Sequence, residues 1–463
     1  MKVEIAGYNI DSSLINQLDS NAATPETISA AYARISRSSK SVTELRRESL
    51  KQVEKARTSN ESIIFGMGHS SVAEHAVFNI DLIGISRYLT EIVQAGRLAS
   101  FTEKSQRYVT FNKDYIIPEE FSTLPDSGIL SLYQELMDHL FHEYEVSFQD
   151  LIHYYEKTEP SLPRRELEGK AKEDARYILP LSTKTQMGMT LNARSLESLL
   201  RRLYHTELLE ARELYDKLIS PISRISPSLV KYTTESSLKG LFDLGFLGDA
   251  QNPVDSAGTV CKVIKGSLPE TEILATLLFE FTGLDHSTCT NQLCAQDEAT
   301  IATIWEQLFS GIRPWHKLPR AFETINVSLE LWMSESCWAQ FKRHRIGTTI
   351  KKSKADFFGM IIPEAIAEIG HESAWHDLNA QTRDLAQIID GYNASLSPYL
   401  RLNSTRISVY CQMNLREIYH FVRLRSDHHA QWEIRSLSDQ LVQQLRELYP
   451  NACRYLMGKS DMK

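Results

Sequence analysis

The sequence predicts an α+β protein made of two consecutive copies of one helix-rich domain, each built on an antiparallel sheet. Three observations carry that reading. Apolar residues recur every three or four positions over residues 129–155, 195–218 and 415–448, the period of an amphipathic helix. Phe78-Asn79-Ile80-Asp81-Leu82 and Ile325-Asn326-Val327-Ser328-Leu329-Glu330-Leu331 alternate instead, the period of a strand with one buried face. Each of these strands runs directly into an amphipathic helix, residues 86–95 and 334–344, that ends in a basic turn bearing serine or threonine.

In chain order, the first copy has the strand at 78–82, the helix at 86–95 and a loop from Ala95 to Tyr108, followed by the long helix at 129–155. Asn192-Ala193-Arg194-Ser195-Leu196 opens its next long helix, as Asn414-Leu415-Arg416-Glu417-Ile418 opens one in the second copy. The copies are 248 positions apart at the basic turn (Ala95 to Arg343) and 222 at the later helix (Asn192 to Asn414). The first copy therefore carries 26 additional residues between these landmarks, an insertion a surface helical arm absorbs easily. Turn formers such as Gly248, Asn252, Pro253 and Gly258 place a linker at 246–258, between domains at 1–245 and 259–463.

Composition bounds the function. A chain of 463 residues with 51 Lys+Arg and 59 Asp+Glu carries a formal charge of −8, which argues against a surface that seeks nucleic acid throughout. No stretch reaches the roughly 18 apolar residues of a spanning helix, and the opening MKVEIAGYNIDSS lacks the apolar core of a secretory signal. The expectation is a cytoplasmic protein with no membrane partner. Six cysteines without a C-x-x-C pair read as reduced and mostly buried thiols.

The run Gln340-Phe341-Lys342-Arg343-His344-Arg345-Ile346-Gly347-Thr348 closes the second basic helix. A helix C-terminus attracts positive charge for electrostatic reasons alone. Arginine also pairs with oxyanions and stacks on flat rings, which points to a phosphorylated ring ligand. Aromatic residues do not interleave the cations of this run or of Lys351, Lys352 and Lys354, so nucleic acid is not the expected partner. His69, Glu74 and His75, or His428 and His429, could be imagined as metal ligands; adjacent histidines on a helix point about 100° apart, and no metal is expected. Trp332, Trp338 and Trp432 stand at core-like spacing and read as packing.

These residues resemble the flavin-dependent thymidylate synthases, or thymidylate synthase complementing proteins, whose signature is Arg-His-Arg, two residues, Ser, four residues, Ser, one residue, Arg. The second copy has Arg343-His344-Arg345, then Thr348 and Ser353 at the serine places, but Ala355 where the last arginine belongs. The first copy has Ala95 and Gly96 for the opening pair, yet keeps Arg97, Ser100, Glu103, Ser105 and Arg107. Further segments match in order: Gly68-His69-Ser70-Ser71-Val72-Ala73-Glu74-His75, Ala175-Arg176-Tyr177-Ile178-Leu179-Pro180, both Asn-x-Arg helix starts, and residues 424–435 around Arg425.

The resemblance implies reductive methylation of dUMP to dTMP, with FAD as hydride carrier and NADPH and methylenetetrahydrofolate as cosubstrates. It implies catalytic roles for Arg425 and Ser105 and nucleotide binding by Gln340, Arg343, Glu103, Ser105, Arg107, Arg176 and Arg425. Flavin binding would fall to Arg343, His344, Arg345, His69 and Ser71, with Asn192 and Arg194 or Asn414 and Arg416. Members of the family are homotetramers whose sites lie between subunits. The losses are complementary here: copy two has Lys351, Ala355 and Pro398 where copy one keeps Glu103, Arg107 and Arg176, and copy one has Leu203 where copy two keeps Arg425. One composite site can thus survive while its mirror image decays, and two chains paired as a homodimer would build the four-domain assembly. Two alternatives stand beside this reading: flavin-dependent modification of another pyrimidine nucleotide, and a degenerate nucleotide- or flavin-binding protein without catalysis.

Overall fold

The computed structural model describes residues 1–235, 258–352 and 359–462. The linker at 246–258, apart from Gly258, and the signature positions Ser353 and Ala355 lie outside the described residues. Two four-stranded antiparallel sheets organise the chain. Strands β1 (Lys2–Tyr8), β2 (Val77–Ser86), β3 (Ala99–Glu103) and β4 (Lys184–Asn192) form the first, in the order β1-β2-β4-β3. Strands β5 (Val260–Gly266), β6 (Asn326–Ser334), β7 (Thr348–Lys351) and β8 (Arg406–Asn414) form the second, in the equivalent order β5-β6-β8-β7. Register agrees as well, with Ile80 opposite Met189 and Leu329 opposite Cys411.

The helices of the first copy are α1 (Glu26–Arg34), α2 (Val42–Lys51), α3 (Val53–Glu61), α4 (Arg87–Gln94), α5 (Gly128–Thr158), α6 (Arg164–Ala175), α7 (Ala193–Tyr204) and α8 (Leu209–Ile225). Those of the second are α9 (Thr271–Phe281), α10 (His286–Cys294), α11 (Glu298–Phe309), α12 (Glu335–Phe341), α13 (Glu364–Glu368), α14 (Glu372–Asn393), α15 (Leu415–Arg425) and α16 (Trp432–Leu448). The additional residues of the first copy fall in the arm made by the 31-residue α5 and by α6.

The alternating segments form strands because one face has a core to meet. Phe78, Ile80, Leu82 and Ile85 of β2 are buried, as are Val327, Leu329, Leu331 and Met333 of β6. Gly84, with φ of 70°, sits at a bulge that re-aims the end of β2. Each central strand ends on a serine that caps the following helix: Ser86 accepts from the Leu89 amide and Ser334 from the Cys337 amide, each at 2.9 Å.

Three local expectations change. The period over 195–218 is broken into α7 and α8 because the Glu120 carboxylate accepts from the Leu209 amide at 2.6 Å, a cap supplied from elsewhere in the chain. The period over 415–448 is broken into α15 and α16, where Gln431 accepts from the amides of Glu433 and Ile434. The loop from Ala95 to Tyr108 contains an edge strand, β3, recruited by pairing with β4.

The copies join through a self-complementary segment. Pro180 and Leu402 form an antiparallel bridge; the Leu181 amide donates to the Arg401 carbonyl at 2.7 Å and the Asn403 amide to the Leu179 carbonyl at 2.9 Å. The same patch of each copy thus faces its counterpart, the isologous arrangement of a symmetric dimer held in one chain. Packing crosses this junction: Ile366, Trp375, Tyr399 and Leu400 belong to the same core as Leu140, Tyr177 and Leu179. A second core holds β5, β6, β8, α15 and α16. Among the described residues no helix is long and apolar enough to cross a membrane. Five cysteines are buried, Cys294 is exposed, and all six are free.

Candidate functional site

The junction brings the segment after β3 against Asn403 and the end of α15, so residues far apart in the sequence share one cleft. Arg107 of the first copy and Arg425 of the second line a single cavity of about 390 Å³, together with Arg423, Asp427, His428 and Lys459. Arg107 reaches it from a tight turn in which Ser105 Oγ accepts from the Arg107 amide at 3.2 Å, and its guanidinium is ion-paired with Glu173. Arg425 projects from the last turn of α15. Its Nε donates to Nε2 of His344 at 3.1 Å and its Nη2 donates to the Gln340 carbonyl at 3.2 Å.

Arg425 has no carboxylate partner here among the described residues, its hydrogen bonds going to His344 and the Gln340 carbonyl. Burial lowers the Arg425 guanidinium to about 10, and Arg343 and Arg107 push in the same direction. Burial also lowers Arg176, again with Arg107 among the repelling neighbours. Arg176 Nη2, Gln106 Nε2 and Asn403 Oδ1 are buried without a hydrogen-bond partner. Gln106 Oε1 accepts from Asn403 Nδ2 at 3.0 Å, and Asn403 also donates to the Arg176 carbonyl at 2.8 Å. Clustered arginines with orphaned donors and an orphaned acceptor describe a surface that awaits an anion with hydrogen-bonding edges.

His344 is buried, and burial lowers its pKa below the ordinary value, although Glu417 pulls upward. The ring is therefore neutral at pH 7. Because Nε2 accepts from Arg425, the proton resides on Nδ1, which faces Glu417 Oε1 at 3.7 Å. Gln340 is buried, with Nε2 3.4 Å from Gln431 Oε1. Glu103 accepts from Gln94 at 3.0 Å and from Arg87 at 3.4 Å. Arg343 is exposed.

The residues expected to hold flavin divide into groups. Asn414 and Arg416 line a cavity of about 340 Å³ with Glu417, His420 and Arg423. This cavity adjoins His344, whose ring centroid is 5.9 Å from that of His420. Arg423 borders both cavities, and its buried Nε and Nη2 have no hydrogen-bond partner. Asn192 and Arg194 lie at the other copy, where Asn192 caps α7 and Arg194 pairs with Glu74 at 2.5 Å. Asn414 likewise caps α15, and Arg416 pairs with Glu323 at 2.8 Å. His69 and Ser71 are exposed beside the first pair. Arg345 points away from His344 and donates to the Arg97 carbonyl at 3.2 Å.

The geometric argument against a metal at His428 and His429 does not hold, because these residues follow the end of α15 in a turn. Asp427, His428 and His429 present ligand atoms within 4.8 Å of one another. Arg423, Arg425 and Lys459 share that cavity, a field that opposes a cation. Two tryptophans do more than pack: Trp338 Nε1 donates to Glu91 at 2.6 Å and Trp432 Nε1 to Asp174 at 3.0 Å, each across the junction. Sequence reasoning missed Asn403, Gln431 and Glu173. Asn403 stands 222 positions after Leu181, so the offset between the copies was the signal that could have marked it.

A family model described as thymidylate synthase complementing protein matches residues 17–228 and 282–451, one stretch in each copy. The chain belongs to this family. The flavin-dependent thymidylate synthase of Clostridium tetani is 33% identical over 181 residues, which cover 39% of this chain and 71% of that protein. A UPF0159 protein of Thermoplasma acidophilum is 23% identical over 430 residues, covering 84% of this chain and 86% of its own length. Among solved structures, a UMP/dUMP methylase from Streptomyces cacaoi aligns with a TM-score of 0.37 and 15% identity, over 44% of this chain and 97% of that one.

The two copies of the thymidylate synthase complementing domain differ in one matched ion pair. Each ties the first turn of its helix to its edge strand by an ion pair, but with the signs exchanged: Arg87 with Glu103 at 3.4 Å, Glu335 with Lys351 at 2.5 Å. The exchange leaves Glu103 at the end of β3, four residues before Arg107, and Lys351 on the wall of the other cleft.

Proposed function

We propose that this chain is an FAD-dependent thymidylate synthase that methylates dUMP to dTMP at a composite site completed within one chain. The observation that carries the proposal is the shared cavity of Arg107 and Arg425, one from each copy. The family membership and the flavin-dependent thymidylate synthase of Clostridium tetani support the reaction class.

In this reading Arg107, Arg176 and Arg343 neutralise the nucleotide phosphate and Gln340 and Gln106 present hydrogen bonds to the pyrimidine. Ser105 shapes the turn that delivers Arg107, and Glu103 orders the strand end through Arg87 and Gln94. Arg425, desolvated and held by His344, stabilises the negative charge that builds on the uracil ring as its carbon 5 becomes nucleophilic. Such a contact contributes about 2 to 4 kcal/mol to the transition state, or about 30- to 1000-fold in rate. Neutral His344 orients Arg425 and turns Nδ1 toward Glu417.

The cavity beside His344 fits a flavin: Arg423 offers buried unpartnered donors, and Arg416 and Asn414 stand on its wall. Bound FAD supplies hydride transfer, with NADPH as reductant and methylenetetrahydrofolate as carbon donor. The proposal places domains at 1–245 and 259–463 and two chains in a homodimer.

The deciding experiment supplies FAD, NADPH, methylenetetrahydrofolate and dUMP tritiated at carbon 5. Tritium release with dTMP formation is the expected result. Flavin binding without either product would overturn dUMP as the substrate.

A further inference from the structure

The junction also contains a second cavity, of about 690 Å³, that corresponds to the composite site with the copies exchanged. Its floor has changed character. Tyr88, Ile92, Leu181 and Pro398 stand where the composite site has Ser336, Gln340, Asn403 and Arg176, and Trp338 adds a second aromatic ring. Groups that could read the edge of a uracil have become apolar surface.

Its charge has not decayed with them. Arg97, Arg202, Arg345 and Lys352 line the cavity, and none has a carboxylate partner among the described residues. Arg202 Nε donates to the Ile92 carbonyl at 2.9 Å, a neutral contact. The carboxylate in the wall, Glu91, is already satisfied by Lys342 and by the Trp338 indole N–H. Arg97, Arg345 and Lys352 are exposed and Arg202 is half-buried, so four cations without a carboxylate partner converge on one open cleft.

We propose that this second cavity binds a nucleoside polyphosphate, with the base against Tyr88 and Trp338 and the phosphates against Arg97, Arg202, Arg345 and Lys352. The four cations match the roughly four negative charges of a triphosphate, and the volume lies within the usual range of small-molecule sites, about 300 to 1,000 Å³. Aromatic faces accept any base, so discrimination among bases is weak. The site stands whether or not the composite site methylates dUMP.

Equilibrium dialysis of the full chain with ATP, with tripolyphosphate and with dUMP tests this. The expected result is one ATP per chain, not displaced by saturating dUMP, with tripolyphosphate at least tenfold weaker because it lacks a ring for the floor. Arg202→Glu and the exposed Lys352→Glu should each weaken ATP at least tenfold with melting temperature unchanged, whereas Arg425→Ala should leave it within twofold. Absence of ATP binding by the wild-type protein would overturn the proposal. So would loss of binding in Arg425→Ala with retention in Arg202→Glu, which would put the nucleotide in the composite site, and equal affinity for tripolyphosphate would overturn the base-binding floor.

Discussion

Tyr177 donates its hydroxyl to Glu433 Oε2 at 2.6 Å, across the junction between the copies. The reciprocal contact also exists, Tyr399 to Glu210 Oε2 at 2.6 Å. Each glutamate in turn holds the serine that caps a basic helix: Glu433 accepts from the Ser334 amide at 2.8 Å and Glu210 from the Ser86 amide at 2.7 Å. Burial raises the pKa of both carboxyls, and these donors are what oppose it. The helix that leads into Arg343 and His344 is therefore anchored through a tyrosine of the other copy.

This relationship predicts an asymmetric pair of variants. Tyr177→Phe and Tyr399→Phe should each cost about 1 to 3 kcal/mol, the penalty for leaving a buried acceptor short of a donor. Urea unfolding reads that cost. Activity should separate them, because α12 leads directly into Arg343 and His344, whereas α4 reaches the composite site only through the contacts of Arg87 and Gln94 with Glu103: Tyr177→Phe should raise KM for dUMP several-fold, and Tyr399→Phe should raise it less. Equal kinetic effects would contradict the assignment of the surviving site.

Arg107→Ala and Arg425→Ala should each reduce turnover by about 30- to 1000-fold with little change in melting temperature. Mixing and refolding the two variants together should not restore activity, since each chain then contains one damaged site. Recovery toward a quarter or half of wild-type activity would mean that the site is assembled between chains.

Asp174 gives a stability signature. Burial raises its carboxyl from 3.8 to about 6, against the pull of Tyr155 and Trp432. A raised acid binds its proton more tightly when folded, so the stability it contributes is complete below about pH 4 and is lost as pH rises through 6. The change is on the order of 3 kcal/mol. Urea unfolding of the wild type and of Asp174→Asn between pH 4 and pH 8 should show the variant gaining on the wild type across that window, and parallel profiles would refute the shift.

Under the proposed four-domain assembly, in which two chains pair, light scattering should give about twice the 52.9 kDa chain mass. A monomer that turns over dUMP at full rate would remove the need for that pairing.

Much of the fold was legible in the sequence. The alternation at 78–82 and 325–331 marked the central strands, the serines at their ends marked the helix caps, and the offsets of 248 and 222 marked the duplication. These features are local: a period of two or 3.6 and a cap within three residues need no distant partner. The breaks between α7 and α8 and the pairing of β3 were not legible, since Glu120 and β4 supply them from elsewhere in the chain.

The candidate site divides in the same way. Arg343, His344, Arg425, Arg107 and Arg176 were named from the resemblance to the family's signature segments, which follow one another in a fixed order along the chain. That Arg107 and Arg425 share a cavity, that Arg345 turns to the opposite cleft, and that Asn414 rather than Asn192 adjoins His344 were decided by tertiary structure. The sequence by itself determined two copies of one domain and complementary losses between them. Only the folded chain decided which residues meet, because the Pro180–Leu402 junction sets distances between groups more than 200 positions apart, and no local pattern encodes a contact of that span.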